Sequence, residues 1–186
     1  MREFVRKTGF GTLFSSTPDG PRIAHVPFIW LDAELVGFHV ARGNAIAPHL
    51  EGAEGLLVVN GPDRYISPDW YEVADQVPTW NYLAVELQGP IRRMERDELV
   101  AQVDALSMEQ ESQLQPKPAW SRAKMTDGMF DRMLEGIVGF EMCVTAMRGT
   151  AKLGQNKPAA ARAAVVRQLE AIGRKDMADL MGRFEK

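Results

Sequence analysis

What this 186-residue sequence has little of narrows the classes of protein to which it can belong. It has one cysteine, Cys143, so no disulfide can form within the chain, and we expect a reducing, cytoplasmic location with this thiol buried between apolar neighbours. No apolar run approaches the roughly 20 residues needed to span a bilayer, and no secretory signal is visible. The three histidines lack the spacing of a metal site. These absences favour a globular protein without a membrane segment or a bound metal.

Positive charge is concentrated at the C-terminal end. The net charge is −3, yet residues 151–186 carry eight Lys/Arg against four Asp/Glu. This segment loosely resembles a helix-turn-helix, with Gly173 between two predicted helices, although an αα-hairpin gives the same pattern. Because a negative total charge is unfavourable for phosphate contacts, direct DNA binding is only a weakly supported alternative.

Alternating hydrophobicity and short connections predict an antiparallel sheet that closes into a small barrel. The predicted strands are 10–15, 22–30, 35–41, 55–60, 83–92 and 138–147. Helical spacing predicts helices at 97–111, 127–135, 158–172 and 175–184. The expected fold class is therefore mainly β with helices. We expect residues 1–150 to form the barrel domain, with a helical insertion near 97–135, and residues 151–186 to form a C-terminal loop and helical hairpin.

Two stretches carry residues suited to a ligand. After the third strand, Arg42 precedes Asn44, an N-cap candidate, and a strand-to-helix corner with a guanidinium suits a phosphate monoester. Capping alone would also explain Asn44. Residues 60–89 hold all three Tyr and half of the Trp, in two clusters at 65–71 and 78–82 that we expect to be loops. Rings beside Ser, Thr and Asn are typical of a wall for a planar polar ligand.

Several motifs along the chain resemble one known family. They are AHVP at 24–27, HVARGN at 39–44, RYISPDWY at 64–71, VPTWNY at 77–82, GIVGF at 136–140 and KLGQNK at 152–157. In this order and spacing the chain resembles the PaiB family, FMN-binding split-barrel proteins described as negative transcriptional regulators. Family members favour Pro where this chain has Ala45 and Ser where it has Gly154. Both departures fall in stretches assigned below to the cofactor.

The resemblance implies a six-stranded antiparallel split β-barrel that forms a homodimer, with FMN in a groove between the subunits. It assigns the cofactor to residues of both subunits. The phosphate would meet Arg42, Asn44 and the backbone near Ala41, with His39 adding a hydrogen bond; the ring would meet His25, Trp80 and Asn81; the ribityl chain would meet Ser67; and the partner would supply Lys152, Gln155 and Asn156.

Most of these assignments have a structural alternative. His25 is as well explained as a hydrogen-bonded histidine of a strand, and Ser67 as a helix cap. Lys152, Gln155 and Asn156 would also suit a turn. Trp70 and Tyr71 are expected to be core or interface rings rather than flavin contacts.

Three functions remain open at this level. The first is a flavoprotein whose FMN exchanges electrons with a nicotinamide cofactor or a small oxidant. The second is a transcriptional regulator in which the flavin is a sensor or a structural group. The third is an FMN-free dimer whose groove binds haem or another ligand. No catalytic residue stands out, and since a flavin would carry the chemistry, this leaves open whether the protein is an enzyme.

Overall fold

The computed structural model describes residues 1–183, which contain seven strands and five α-helices. The strands are Phe10–Thr17 (β1), Gly20–Trp30 (β2), Leu35–Ala41 (β3), Glu54–Ile66 (β4), Thr79–Arg93 (β5), Ile137–Cys143 (β6) and Ala146–Lys152 (β7). The helices are Arg2–Thr8 (α1), Arg96–Ser112 (α2), Met129–Leu134 (α3), Ala159–Ala171 (α4) and Lys175–Arg183 (α5). The predicted end of the last helix at Phe184 lies outside the described residues. Within residues 1–183 no helix is long and apolar enough to cross a membrane.

The strands follow the order β4-β1-β2-β3-β6-β5-β7 in one sheet, and β4 also pairs with β5. The first six strands in this order therefore return on themselves, as the prediction of a six-stranded barrel requires. The registered neighbours β1–β2, β1–β4, β2–β3, β3–β6 and β5–β6 are all antiparallel. The predicted fold class is confirmed.

Strands β2 and β3 separate along part of their length, and we call the gap between them the split. Only Phe28–Trp30 of β2 pair with Val36–Phe38 of β3, whereas β1 pairs with β2 along its whole length and β3 with β6 along its whole length. Continuing the register of β2 and β3 would place His25 opposite Ala41, but no pairing is formed there. The N-terminal half of β2 thus stays with β1, while the end of β3 stays with β6.

The chain forms two compact units. The first unit comprises Met1–Val59 and Glu86–Arg148, and the second comprises Asn60–Val85 and Gly149–Lys186. Tyr71 belongs to the core of the second unit, together with Leu153, Val165 and Met177, and Trp70 packs against it, as expected from the sequence. The predicted domain boundary at residue 150 stays a prediction, since a compact unit is not by itself an independent domain.

Helix α2 covers part of the outer face of the first unit, where it contacts β2, β3 and β6. A capping box between Glu95 and Glu98 begins the helix, and its buried face includes Leu99 and Leu106. The helix lies close to the sheet at glycine positions. A Cβ on Gly139 would lie 2.8 Å from Leu99 Cδ1, so any larger residue there would force the helix away.

Two predictions about strand boundaries and one about burial were wrong. The segment 138–147 is not one strand, because the amides of Val144 and Thr145 turn to the carbonyls of Glu34 and Gln88 and separate β6 from an unpredicted seventh strand. The clusters at 65–71 and 78–82 are only partly loops, because β4 runs to Ile66 and β5 begins at Thr79. Cys143 is exposed rather than buried, since it alternates with the buried Met142.

Candidate functional site

The turn after β3 is shaped by Asn44. Its Oδ1 accepts a hydrogen bond from the amide of Ile46 at 3.1 Å, and its own amide donates to the carbonyl of Ala41 at 2.9 Å. The following 3-10 helix spans Ala47–His49 and has Ile46 as its N-cap, so the prediction that Asn44 caps a helix was wrong. The side chain forms a local turn instead, which is the other common role of Asn.

Two main-chain amides of this turn have no acceptor. The N–H groups of Gly43 and Ala45 make no hydrogen bond within residues 1–183. Gly43 is exposed, and a Cβ there would meet nothing within 4 Å. Its φ is outside the left-handed region, so the turn itself does not require glycine. Free main-chain amides in a turn favour an anion, and glycine lets the anion approach the backbone closely.

The guanidinium of Arg42 is held in place without being neutralised. Its Nε donates to the carbonyl of Glu135 at 2.6 Å and its Nη2 to the carbonyl of Ile137 at 3.2 Å. The backbone amide of Arg42 donates to the carbonyl of Gly136 at 2.8 Å. Carbonyl acceptors orient a guanidinium but do not pair with its charge, and within residues 1–183 Arg42 makes no ion pair.

Arg42 also lines a cavity of about 700 Å³ in the first unit, with Arg92, Arg93 and Arg96. Arg92 is neutralised by Glu98 and Glu141, each at 2.8 Å, and these hydrogen bonds raise the pKa of Arg92.

The rest of the cavity is electrically mixed. Arg96 pairs with Asp131 at 2.5 Å, and the cavity wall also carries Glu51, Glu95 and Glu135. The cavity as a whole is therefore not strongly basic. Its clearest anion-binding feature is the Arg42 turn.

His25 lies on the uncovered outer face of β1 and β2. Its Nδ1 is 3.2 Å from Thr12 Oγ1, and Phe10 stacks beside it with a centroid distance of 6.4 Å. Phe10 is 53% exposed, Ile23 49% and Phe14 39%, and all three are on this face. Large apolar side chains grouped on an exposed sheet face mark a binding surface.

His39 lies on the part of the outer face that α2 covers. Its Nδ1 is 3.1 Å from Oε1 of Gln102, a residue of α2 that is 1% exposed. Burial lowers the pKa of His39, and the hydrogen bond with Gln102 acts in the opposite direction. The imidazole is therefore neutral at physiological pH.

Six predicted site residues lie in the second unit. Ser67 caps the 3-10 helix Pro68–Tyr71 through a hydrogen bond from the amide of Asp69. This is the structural alternative that the sequence offered for Ser67. Trp80 is exposed and meets Tyr65 edge-on, with ring centroids 6.2 Å apart. Asn81 is 1% exposed and donates to Met181 Sδ at 3.4 Å, so it faces the core of this unit.

The other three are at the end of β7 and in the following turn. Lys152 Nζ donates to Thr79 Oγ1 at 2.7 Å. Gln155 closes a local turn, since its Oε1 accepts from the amide of Leu153 and its Nε2 donates to the carbonyl of Ala151. Asn156 is exposed. Their assignment to a partner subunit stays a prediction.

The structure thus places His25 on β2 and Ala41, Arg42 and Asn44 at the end of β3, on the two sides of the split. Two features of this unit were missed in the sequence. The burial of Gln102 could have been predicted, because it lies three residues after the buried Leu99 on the same face of a helix. The free amide of Gly43 carried no signal beyond the glycine itself.

Comparison with known proteins identifies the family. The family described as "Putative FMN-binding domain" matches residues 1–146. The chain belongs to this FMN-binding family. It is also 32% identical over 185 residues to the protease synthase and sporulation protein PAI 2 of Bacillus subtilis, which covers 96% of this chain and 88% of the relative. The resemblance to the PaiB family is therefore confirmed.

Solved structures of low sequence identity share the fold. The FAD and heme binding protein of Mycobacterium smegmatis has a TM-score of 0.55 at 14% identity and covers 87% of this chain and 74% of its own. The flavocytochrome Anf3 of Azotobacter vinelandii has a TM-score of 0.53 at 16% identity, with coverages of 83% and 68%. At such identities the likeness concerns the fold alone.

The residues at the split fit the cofactor of the FMN-binding family. A phosphate monoester needs main-chain donors and a positive charge, which Gly43 and Arg42 offer at the end of β3. A tricyclic ring needs an apolar surface, which Phe10 and the other exposed side chains of β1 and β2 offer. Both sets lie in the first unit, on the two sides of the split.

Proposed function

We propose that this protein is a homodimer that binds FMN at the split between β2 and β3. The observation that carries the proposal is the turn at Arg42, where an oriented and uncompensated guanidinium lies beside unbonded main-chain amides. The phosphate of FMN binds at this turn. The isoalloxazine ring lies toward His25 and the exposed face of β1 and β2.

The exposed apolar face supports the second copy. Phe10, Phe14 and Ile23 leave a large apolar area in contact with water, and covering apolar surface stabilises a complex by about 25 cal/mol per Å². A flavin and a second subunit together cover more of this face than a flavin alone. A groove that one subunit leaves open is then completed by the other.

The proposed activity is electron transfer through the flavin. When bound, FMN supplies the redox chemistry, and the protein residues bind and orient it. The two structural neighbours are described as a FAD and heme binding protein and a flavocytochrome, which supports a flavin redox role for this fold. The role of a flavin-linked transcriptional regulator is the alternative, and haem is the alternative ligand.

No observation favours direct DNA contact. Arg162 donates to the carbonyl of Met181, Arg167 approaches Glu72 at 3.4 Å, and Arg174 pairs with Asp176 at 3.0 Å. These contacts give the basic residues of α4 and α5 structural roles. In addition, the second unit is nearly neutral, with nine Lys/Arg and eight Asp/Glu. The acidic residues of its segment 60–85 offset the basic excess of residues 149–186.

The test is reconstitution with FMN, followed by removal of unbound flavin, an absorption spectrum and size-exclusion chromatography. We expect a retained flavin band and elution at the mass of two chains. A colourless protein would overturn the proposal, and a haem band after parallel addition of haem would favour the alternative ligand. Mixing the yellow protein with NADH or NADPH then separates the functions, because a flavin that stays oxidised argues against a reductase.

A further inference from the structure

His39 is a half-buried ring on β3, at a place where α2 packs closely on the sheet. It lies between Gly37, two residues earlier on the same face, and Gly139, its direct partner on β6. A Cβ on Gly37 would lie 3.0 Å from Gln102 Cγ, and one on Gly139 would lie 2.8 Å from Leu99 Cδ1. The close approach of the helix at both glycines therefore fixes Gln102 against the imidazole.

The hydrogen bond with Gln102 determines which nitrogen of His39 carries the proton. With the amide of Gln102 oriented as in the structure, Oε1 faces Nδ1 at 3.1 Å, and because an amide oxygen only accepts, this orientation assigns the proton to Nδ1. The neutral ring then has an unprotonated Nε2, which can only accept. This Nε2 has no partner within residues 1–183, yet it is not among the buried side-chain atoms that lack a partner, so solvent or a ligand can reach it.

We propose that Gln102 is a positioning residue that holds His39 as the Nδ1–H tautomer, so that Nε2 accepts a hydrogen bond from a hydroxyl of the flavin's ribityl chain. The inference rests on the proposed function. It changes the role expected from the sequence, which assigned His39 to the phosphate. A phosphate dianion offers no proton, so an acceptor nitrogen cannot bind it, whereas ribityl hydroxyls donate.

The position of His39 agrees with this role. It lies two residues before Ala41 on the same face of β3, a distance of about 6.6 Å along a strand. The ribityl chain is joined to the phosphate, so its first hydroxyls are the donors of FMN closest to a phosphate held at the Arg42 turn. Glu98 of α2 and Glu141 of β6 lie on elements packed against β3, and both are bound by Arg92 of β5.

The first arm of the test is independent of flavin. Long-range ¹H–¹⁵N spectra of the flavin-free protein at pH 8 report the His39 tautomer, and the His39→Asn variant assigns the signals. We expect the Nδ1–H tautomer in the wild type and in Gln102→Glu, which keeps an acceptor. We expect its loss in Gln102→Met, which keeps the volume. An Nε2–H tautomer in the wild type would overturn the proposal.

The second arm compares the dissociation constants of FMN and riboflavin. Gln102→Met is expected to weaken both ligands by the same factor, about 3- to 10-fold, the size of one neutral hydrogen bond. Gln110→Met, a substitution at an exposed residue of the same helix, is the matched control and should change neither. Thermal unfolding of each variant confirms that it is folded, and Gln102→Leu, which also lacks an acceptor, supplies a second variant if Gln102→Met is not.

The outcomes separate this inference from the proposed function. A loss confined to FMN would return His39 to the phosphate and overturn the inference. Unchanged affinities in a variant with an altered tautomer would also overturn it. If the wild type binds no flavin, the proposed function and the ribityl ligand fail together, while the tautomer spectra still decide the positioning role of Gln102.

Discussion

Replacing Arg42 with Ala tests the phosphate site most directly. The guanidinium has five N–H donors, of which two are used by the carbonyls of Glu135 and Ile137. The remaining donors and the uncompensated charge are available to a phosphate. A hydrogen bond to a charged group contributes about 1.5–3 kcal/mol. Arg42→Ala should therefore raise the dissociation constant of FMN by about 10- to 150-fold.

Riboflavin separates this effect from damage to the fold, because it lacks the phosphate. The two carbonyls that lose Arg42 are near the surface and can accept from water, so the free energy of unfolding should fall by only about 1 kcal/mol. Flavin fluorescence quenching measures both ligands, and we expect riboflavin binding to be nearly unchanged. Arg132→Ala, at an exposed position of α3, removes the same charge elsewhere and should leave both affinities intact. Equal losses for FMN and riboflavin would refute a phosphate contact at Arg42.

Three further outcomes are expected. Gly89→Ala should lower the free energy of unfolding by about 3 kcal/mol or more in denaturant titrations, because a Cβ would lie 1.7 Å from the carbonyl oxygen of Cys143. Gly43→Ala is the matched control, since there is open space around Gly43, and it should change the free energy of unfolding little. The free energy of unfolding should fall as the pH drops below 6.5, the ordinary pKa of histidine, because burial holds the pKa of His39 lower in the folded state and the unfolded chain binds the proton first; a slope that persists in His39→Gln would contradict this. Cys143 should react with a thiol reagent without denaturant, and reaction only after unfolding would be inconsistent with its exposed position.

Local patterns in the sequence were sufficient for most of the barrel. Strand β1 and the second half of β2 alternate between buried side chains and exposed or half-buried ones, and turn residues separate the two strands, so both strands and their antiparallel pairing could be predicted. Strand β7 could not, because its boundary at Val144 and Thr145 depends on carbonyls of residues far away in the chain. Periodicity alone cannot detect where a strand is interrupted by such contacts.

The site shows the same division between local and distant causes. Asn81 was assigned to the flavin as part of a loop, yet it shares its parity with the buried Leu83, Val85 and Leu87, so extending β5 by a few residues would have placed it inside. The orientation of Arg42 had no local signal, because its acceptors are more than ninety residues away along the chain. The residue types indicated the chemistry of the site, whereas the orientation of Arg42 and Asn81 followed only from the fold.

The composition of the second unit has a practical consequence for shortening the protein. The family match ends at residue 146, so deleting the residues after 146 would look harmless if only the family match were considered. It would remove Leu153, Val165 and Met177, which bury Ile66 and Tyr71 of the same unit. The truncated chain would present these side chains to solvent and should aggregate or be digested by proteases, so a minimal flavin-binding version must be sought by trimming elsewhere.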